Sequence, residues 1–207
     1  LFDQNFLDLM VRESALAPDD VVLEFGTGPG QLTERLAARA AFVHTIEIEP
    51  RLHEFSRGRL VLPNVQFHLG DAIPGGDRLN PELCEAVEKR LGGRRLRVVS
   101  NFPYSVGGSI LLALAEGQLP AFDAVGTLQK EVAERLAAAP GADAYGPLGI
   151  LLQRLARVEI LRDVARQLFW PAPRVDSSLV RVTFGAARFE GDWKAYRQFV
   201  KLAFSQR

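Results

Sequence analysis

The feature that most constrains the fold is a regular alternation of short apolar runs with segments of helical spacing. DVVLEF at 20–25 and AFVHTIEIE at 41–49 are rich in β-branched residues, and QLTERLAARA between them has the period of a helix. Strand–helix units of this kind connect through right-handed crossovers and predict a largely parallel sheet covered by helices. The predicted strands are 20–25, 41–49, 65–71, 95–100, 121–129, 158–164 and 179–184, and the predicted helices are 31–40, 51–60, 81–91, 109–117, 130–139, 148–156 and 192–204.

The composition bounds the class of protein. A chain of 207 residues with 47% hydrophobic content predicts one domain with a sizeable core and at most a small appendage. No apolar run reaches the roughly 18 residues of a membrane span. The single cysteine, Cys84, excludes an internal disulfide and a cysteine-cluster zinc site, so we expect a reducing, cytoplasmic setting and no metal.

Charge is balanced overall but unevenly distributed. Residues 1–150 hold 14 Lys and Arg against 20 Asp and Glu, whereas residues 151–207 hold 11 against 5. The basic C-terminal quarter fits a phosphate backbone, because neutralised phosphates release counterions. It fits a solvated, arginine-rich face equally well, and charge alone leaves both interpretations open.

Residues able to bind a ligand follow the first two predicted strands, where open α/β sheets bind their ligands. Gly26, Gly28 and Gly30 form a G-x-G-x-G loop before a helix that offers free N–H groups, although a simple turn remains an alternative. An acid 21 residues after Gly26 is placed to accept the hydroxyls of an adenosine ribose. Glu47 is favoured, with Glu49 on the same strand face left open.

Two further strand ends complete the series. Asp71 follows the third strand, where a carboxylate can accept a hydrogen bond from an adenine amine, and Ala72 can pack beside the ring. SNFPYS at 100–105 follows the fourth strand. As an isolated segment it is equally well a turn with two core aromatics. A nicotinamide dehydrogenase has no use for Asn-Phe-Pro-Tyr at this place, whereas an S-adenosylmethionine-dependent methyltransferase does.

The ordered set of motifs resembles the ribosomal RNA adenine N6,N6-dimethyltransferases, and within them the branch that acts on small-subunit rRNA. The resemblance covers nearly the whole chain. Asp3, Phe102 and the stretch from Ser105 to Gly108 depart from the usual pattern of the family. The segments that carry the resemblance are QNFL at 4–7, LEFGTGPGQLTERL, IEIEP, GDAI, NFPY, LQKEVAERL, AYGPLGILLQ, FWPAPRVDSSLVRV and the closing AFSQR.

This resemblance implies a Rossmann-like class I methyltransferase with a seven-stranded, mostly parallel sheet whose last strand is antiparallel. It implies a methyltransferase domain at 1–190 and, at 191–207, the start of a small helical C-terminal domain that begins near Asp192. The implied cofactor is S-adenosyl-L-methionine, and the implied partner is small-subunit rRNA or the assembling small ribosomal subunit. We expect a cytoplasmic monomer that binds neither a membrane nor a metal.

The resemblance also implies roles for the cofactor-binding residues. Asn5 and Leu7, with Gln4 beside them, are expected to close over the cofactor. Gly26 and Gly28 are expected to line its methionine part and Glu47 its ribose. Asp71 and Ala72 are expected at the adenine, and Asn101 at the reacting methyl group.

The catalytic prediction concerns how the target adenine is held. Asn101 Oδ1 and the backbone carbonyl of Phe102 are expected to accept the two N–H bonds of the N6 amine, which is a poor nucleophile because its lone pair is delocalised into the ring. Pro103 holds Phe102 in the extended region and so fixes the direction of that carbonyl. Tyr104 and Phe169 are expected to stack on the two faces of the adenine.

Three other functions are alternatives to this one. A non-catalytic RNA-binding or transcription factor on the same fold needs no intact cofactor site. An adenine N6-methyltransferase of large-subunit rRNA or of DNA shares the Asn-x-Pro-aromatic segment. The intact strand-end residues favour an enzyme, and the segments LQKEVAERL and FWPAPRVDSS favour small-subunit rRNA.

Overall fold

A computed structural model describes residues 3–169, 174–185 and 189–205. Its sheet has seven strands in the order β3-β2-β1-β4-β5-β7-β6, and β7 runs antiparallel to both of its neighbours. The predicted α/β sheet with an antiparallel last strand is therefore confirmed. The elements are α1 (Gln4–Ser14), β1 (Val21–Phe25), α2 (Gln31–Ala37), β2 (Phe42–Glu47), α3 (Pro50–Arg59), β3 (Val65–Leu69), α4 (Pro81–Leu91), β4 (Leu96–Asn101), α5 (Gly107–Ala115), β5 (Ala121–Gln129), α6 (Lys130–Ala137), α7 (Pro147–Leu155), β6 (Ala156–Val164), a 3-10 turn (Arg166–Leu168), β7 (Ser177–Phe184) and α8 (Trp193–Ala203).

The central strands are buried on both faces. Every residue of β1 and of β2 is buried, because helices cover the sheet on either side. One apolar cluster lies between the sheet and α4 and α5, and a second lies between the sheet and α1 and α2. This sandwich holds the carboxyl ends of the strands rigidly at one edge of the sheet.

Helix α1 is an element that the sequence analysis did not predict. Asp3 caps it by accepting a hydrogen bond from the Phe6 amide, and its buried side chains recur at helical spacing. The apolar pattern is short and lies between polar residues, so periodicity alone does not predict a helix here. The buried side chains of α1 are Phe6, Leu7, Met10, Val11 and Ser14.

The topology of β1 creates the crevice in which a ligand binds. β1 pairs with β2 on one side and with β4 on the other, both in parallel register. The connection after β1 leads to β2 on one side, and the connection after β4 leads to β5 on the other side. Because these connections run in opposite directions, the carboxyl ends of β1 and β4 border an open space. Strand β5 extends the same edge, with Thr127 in register with Asn101.

Candidate active site

A cavity of about 510 Å³ lies at this crevice. It is bounded by the loops that follow β1, β2, β3 and β4, so the four predicted strand ends meet at one place. The residues that line it are Gly26, Gly28, Ile46, Glu47, Ile48, Gly70, Asp71, Ala72, Asn101, Phe102, Pro103, Tyr104, Ser105 and Val106.

The glycine loop leaves its backbone open to the cavity. Gly26 and Gly28 have φ values of +86° and +53°, a region that side-chain-bearing residues rarely adopt. A Cβ on Gly28 meets no atom within 4 Å, so the space above it is free for a ligand. Gly28 therefore leaves an open glycine cradle at the cavity, whereas a Cβ on Gly26 would contact Pro103 at 3.7 Å.

Glu47 and Glu49 have different surroundings, and this separates the two candidates that the sequence left open. Glu47 is buried at the cavity wall, where its carboxylate accepts hydrogen bonds from the amides of Gly28 at 2.8 Å and Glu49 at 3.0 Å. Glu49 is exposed and caps α3 by accepting from the Arg51 amide. Glu47 is therefore the acid that the fold fixes against the glycine loop.

Asp71 and Ala72 form the wall beyond β3. Asp71 is exposed at the cavity, and one of its carboxylate oxygens accepts from the Ile73 amide at 2.9 Å. Its backbone carbonyl accepts from the Asn80 side chain at 3.0 Å. Ala72 is buried and presents an apolar surface beside the carboxylate. An acid beside a small apolar side chain suits the edge and the face of an adenine ring.

Asn101 lies at the last position of β4, at the cavity edge. Its Oδ1 accepts a hydrogen bond from the hydroxyl of Thr127, a fully buried residue of β5. The amide of the next residue, Phe102, donates to the Thr127 carbonyl at 3.1 Å. One strand neighbour therefore holds both the side chain of Asn101 and the backbone that follows it.

Phe102, Pro103 and Tyr104 continue along the same wall. The Phe102 ring is buried in the core and lies 6.2 Å from the Phe25 ring, so it anchors the segment. The Pro103 carbonyl accepts from the amides of Val106 and Gly107, which starts α5. The Tyr104 hydroxyl lies 2.9 Å from Ser177 Oγ, which fixes the far end of the phenol ring while the ring lines the cavity.

Three predicted site residues do not line this cavity. Leu7 is fully buried in the core beneath α1, and Asn5 is exposed beside a different cavity of about 190 Å³ that also includes Leu168. Phe169 is buried against Phe6, with ring centroids 6.3 Å apart, so it packs with the core instead of facing Tyr104. Helix α1 begins at Gln4 and places Leu7 in the second apolar cluster, to which Phe169 also belongs. Residues 170–173 of the FWPAP segment and residues 206–207 of AFSQR lie outside the described residues.

A group that sequence reasoning missed is Glu24, which lies beneath the glycine loop. Its carboxyl accepts a hydrogen bond from Thr33 Oγ1 at 2.6 Å. Burial raises the pKa of Glu24 to about 8, opposed by hydrogen bonds from Thr33 and Thr45 and assisted by the charge of Glu47. The sequence signal was available, because an acid in the middle of a strand buried on both faces requires a buried partner or a retained proton.

Replacing Glu24 with Gln is expected to flatten the pH dependence of folding between about pH 5 and about pH 8. The unfolded carboxyl ionises near its ordinary pKa, whereas the folded one keeps its proton to about pH 8. Folding therefore takes up a proton in this window, and the wild type loses up to about 1.4 kcal/mol of stability per pH unit as the pH rises. Urea unfolding across the window measures both slopes, and parallel slopes for the two proteins would contradict the assignment.

The cavity fits an adenosine joined to an amino acid. Open space lies above Gly28, a buried acid lies one strand away, and an acid with an apolar neighbour lies beyond it. Among residues 3–169, 174–185 and 189–205, no group of three or more His, Cys, Asp or Glu is arranged to hold a metal ion. In the same part of the chain, no helix is long and apolar enough to cross a membrane.

Comparisons with known proteins agree with this geometry. The profile of the family described as Ribosomal RNA adenine dimethylase matches residues 1–207. Ribosomal RNA small subunit methyltransferase A of Caldanaerobacter subterraneus is 36% identical over 209 residues, which cover 100% of this chain and 76% of that protein. The protein of the same name from Thermotoga neapolitana is 36% identical over 208 residues, which cover 100% and 73%.

Two solved structures share both fold and sequence with the chain. A dimethyladenosine transferase from Plasmodium falciparum superposes with a TM-score of 0.82 at 27% identity, covering 100% of this chain and 70% of that one. The 23S rRNA methyltransferase ErmE superposes with a TM-score of 0.74 at 28% identity, covering 99% and 78%.

The sheet order, the antiparallel seventh strand and the strand-end cavity define a Rossmann-like class I methyltransferase that uses S-adenosyl-L-methionine. The family profile spans every residue, and the relatives match over the full chain, so the family within this class of methyltransferases is also defined. The chain belongs to the ribosomal RNA adenine dimethylase family.

Proposed function

We propose that this protein transfers methyl groups from S-adenosyl-L-methionine to N6 of adenosines in small-subunit rRNA, giving N6,N6-dimethyladenosine during assembly of the small subunit in the cytoplasm. The observation that carries the proposal is Asn101, whose carboxamide is fixed at the edge of a cavity suited to the cofactor. The names of the relatives from Caldanaerobacter and Thermotoga support the small subunit as the source of the RNA.

The chemistry required of the chain is to hold an adenine amine in a reactive shape. S-adenosylmethionine supplies an electrophilic methyl group on a sulfonium when it is bound. Asn101 Oδ1 and the Phe102 carbonyl are two acceptors on adjacent residues, and together they orient the two N–H bonds of N6. This draws the nitrogen away from the ring plane and makes its lone pair available. Catalysis then depends on positioning and exclusion of water, with no general base required of a histidine or cysteine.

Tyr104 is the aromatic surface that the structure offers to the target base. Its ring lines the cavity, and the contact of its hydroxyl with Ser177 restricts rotation. Stacking on such a ring contributes about 1 to 3 kcal/mol per base and offsets the cost of unstacking the adenine from RNA. The role of Phe169 as the second stacking ring stays a prediction. In the structure its side chain packs against Phe6 of α1 and does not face Tyr104.

The basic residues of the C-terminal quarter have two different environments. Arg166 and Arg174 are exposed and line a cleft of about 360 Å³ beside Gln129, and neither side chain forms a salt bridge with any residue that the structure describes. The cleft as a whole is balanced in charge, because Lys130 and the acidic residues Glu131, Glu134 and Asp176 line it too. Gln129 is paired in the sheet with Ser177, which contacts Tyr104, so this cleft adjoins the cavity. Arg166 and Arg174 therefore support an RNA surface next to the site.

Arg181 belongs to the fold and not to this surface. Its guanidinium donates to the Glu13 carbonyl at 2.7 Å and lies 3.4 Å from the Glu13 carboxylate, tying β7 to α1. This geometry favours the solvated or structural interpretation for Arg181 that charge alone left open.

Charge reversal of Arg166 and Arg174 is expected to weaken RNA binding and to lower its dependence on salt. Each lost phosphate contact reduces the slope of log K against log salt by about 0.7 to 0.9. Arg39→Glu is the matched control, because Arg39 is exposed just beyond the C-terminus of α2, at the opposite edge of the sheet. Filter binding of rRNA over a salt series measures the slopes, and a slope equal to that of the control would remove these arginines from the interface.

The substrate is tested by offering the protein four acceptors with labelled S-adenosylmethionine: unmodified small subunits, naked small-subunit rRNA, large-subunit rRNA and adenine-containing duplex DNA. The proposal expects the small-subunit particle or its rRNA to be methylated fastest. Large-subunit rRNA is the second candidate, supported by the likeness to ErmE. Cofactor binding without transfer to any acceptor would favour a non-catalytic factor.

The domain organisation and oligomeric state are part of the same proposal. Residues 1–190 would form the methyltransferase domain, and residues 191–207 would begin a helical unit. Helix α8, capped by Asp192, supports this division because it packs on α7 through Trp193, Tyr196 and Val200 and adds nothing to the sheet. We expect a monomer, measurable by light scattering after gel filtration.

A further inference from the structure

The hydroxyl of Thr127 is well placed to control the side chain that holds the target amine. Thr127 lies on β5, directly in register with Asn101 on β4. Its side chain is fully buried, and its hydroxyl donates to Asn101 Oδ1. This contact lies at the cavity edge, where Asn101 is a lining residue and Thr127 is not.

A carboxamide at the end of a strand needs such a partner. The terminal torsion of an asparagine side chain is broad and roughly two-fold, so the oxygen and the NH2 group exchange places on rotation. Only the oxygen accepts a hydrogen bond from an N–H group. If the NH2 group faced the target amine instead, two donors would lie against each other. In the structure the Thr127 hydroxyl donates to Oδ1, which holds the oxygen at this position and leaves its second lone pair for the ligand.

The backbone of Thr127 acts on the second acceptor as well. Its carbonyl accepts from the Phe102 amide at 3.1 Å, and Phe102 carries the carbonyl proposed to accept the other N–H bond. The Phe102 ring is buried beneath the segment, so the residue does not move independently of the sheet. Thr127 of β5 therefore holds both the Asn101 side chain and the backbone of Phe102, which carry the two acceptors.

We propose that Thr127 is a positioning residue for methyl transfer, acting through Asn101 and without contact to the substrate. The proposal rests on the proposed function, because it assigns Asn101 the role of holding the adenine amine. It predicts that the side chain of Thr127 affects the rate of the chemical step and leaves the binding of either substrate unchanged.

The test compares Thr127→Val, which keeps the shape and removes the hydroxyl, with Thr127→Ser, which keeps the hydroxyl. Thr127→Val is expected to lower kcat by about 3- to 10-fold, the effect of one neutral hydrogen bond, with KM for RNA and Kd for S-adenosylmethionine unchanged. Thr127→Ser is expected to restore kcat to within about 2-fold of the wild type. Thermal unfolding of all variants identifies any change in stability.

A double-mutant cycle with Asn101→Ala separates positioning from a general structural effect. If Thr127 acts through Asn101, adding Thr127→Val to the Asn101→Ala variant produces no further loss of kcat. Additive losses would overturn the inference, as would a Thr127→Val enzyme with wild-type kcat. The proposed function fails separately, if the wild-type protein itself does not methylate adenosine in rRNA.

Discussion

Replacing Asn101 with alanine is expected to lower methyl transfer at least 10- to 100-fold while S-adenosylmethionine still binds. The substitution removes one aimed hydrogen bond to the target amine, equivalent to about 1.4 to 3 kcal/mol in the barrier. The glycine cradle and Glu47 are untouched, because they hold each other through the Gly28 amide. Single-turnover methylation of rRNA and equilibrium titration of the cofactor measure the two effects separately.

Asn64→Ala is the matched control for this variant. The Asn64 side chain donates to the carbonyls of Ala37 and Ala40 at the opposite edge of the sheet. Its loss leaves buried acceptors unpaired and is expected to cost about 1 to 3 kcal/mol of stability without changing the rate of transfer. Near-normal methylation by Asn101→Ala, or an equal loss in the control, would contradict the role given to Asn101.

Replacing Gly126 with alanine is expected to destabilise the protein and to disable the site together. Gly126 lies in β5 beneath the Asn-Phe-Pro-Tyr segment. An added Cβ falls inside van der Waals distance of the Ser100 carbonyl oxygen and 2.6 Å from Cε2 of Phe102. Neither can yield easily, because Ser100 is in a central strand and the Phe102 ring is buried. Overpacking of this kind costs about 3 kcal/mol or more, which lowers Tm by about 6 to 12 °C in a chain of this size.

Gly58→Ala is the comparison that isolates the steric cause. Gly58 is exposed in α3, and an added Cβ there meets no atom within 4 Å. Glycine is less favourable than alanine inside a helix, so Gly58→Ala is expected to raise the free energy of unfolding by about 0.5 to 1 kcal/mol and to leave activity unchanged. Calorimetry and a transfer assay below the lower Tm test both variants. A Gly126→Ala protein with unchanged Tm and activity would show that the segment is not braced by β5.

Much of the fold and site was predictable because the signals were local. The strand ends at Gly26, Glu47, Asp71 and Asn101 each carry a residue type able to bind a ligand, and parallel strands bring their carboxyl ends to one edge. The structure brings these four residues to one cavity, as the topology required. The seven-stranded sheet with an antiparallel last strand was predicted through the resemblance to the family and is confirmed.

The remainder depended on contacts between distant residues. Sequence favoured Glu47 but left Glu49 open, because alternation places both on one strand face. The structure separates them, since Glu49 is the N-cap of α3. It also could not show that Phe169 packs against Phe6 across 163 positions of chain. The contact of Thr127 with Asn101 was not predicted for the same reason, because it depends on the register between β4 and β5.

We propose that Asn101 holds an adenosine of small-subunit rRNA for methylation at N6. The most direct measurement is transfer of tritiated methyl groups from S-adenosylmethionine to small subunits that lack the modification, followed by digestion to nucleosides. Label is expected in N6,N6-dimethyladenosine with the wild-type protein, and its loss is expected with Asn101→Ala. Label in another nucleoside, or no transfer by a protein that binds the cofactor, would contradict it.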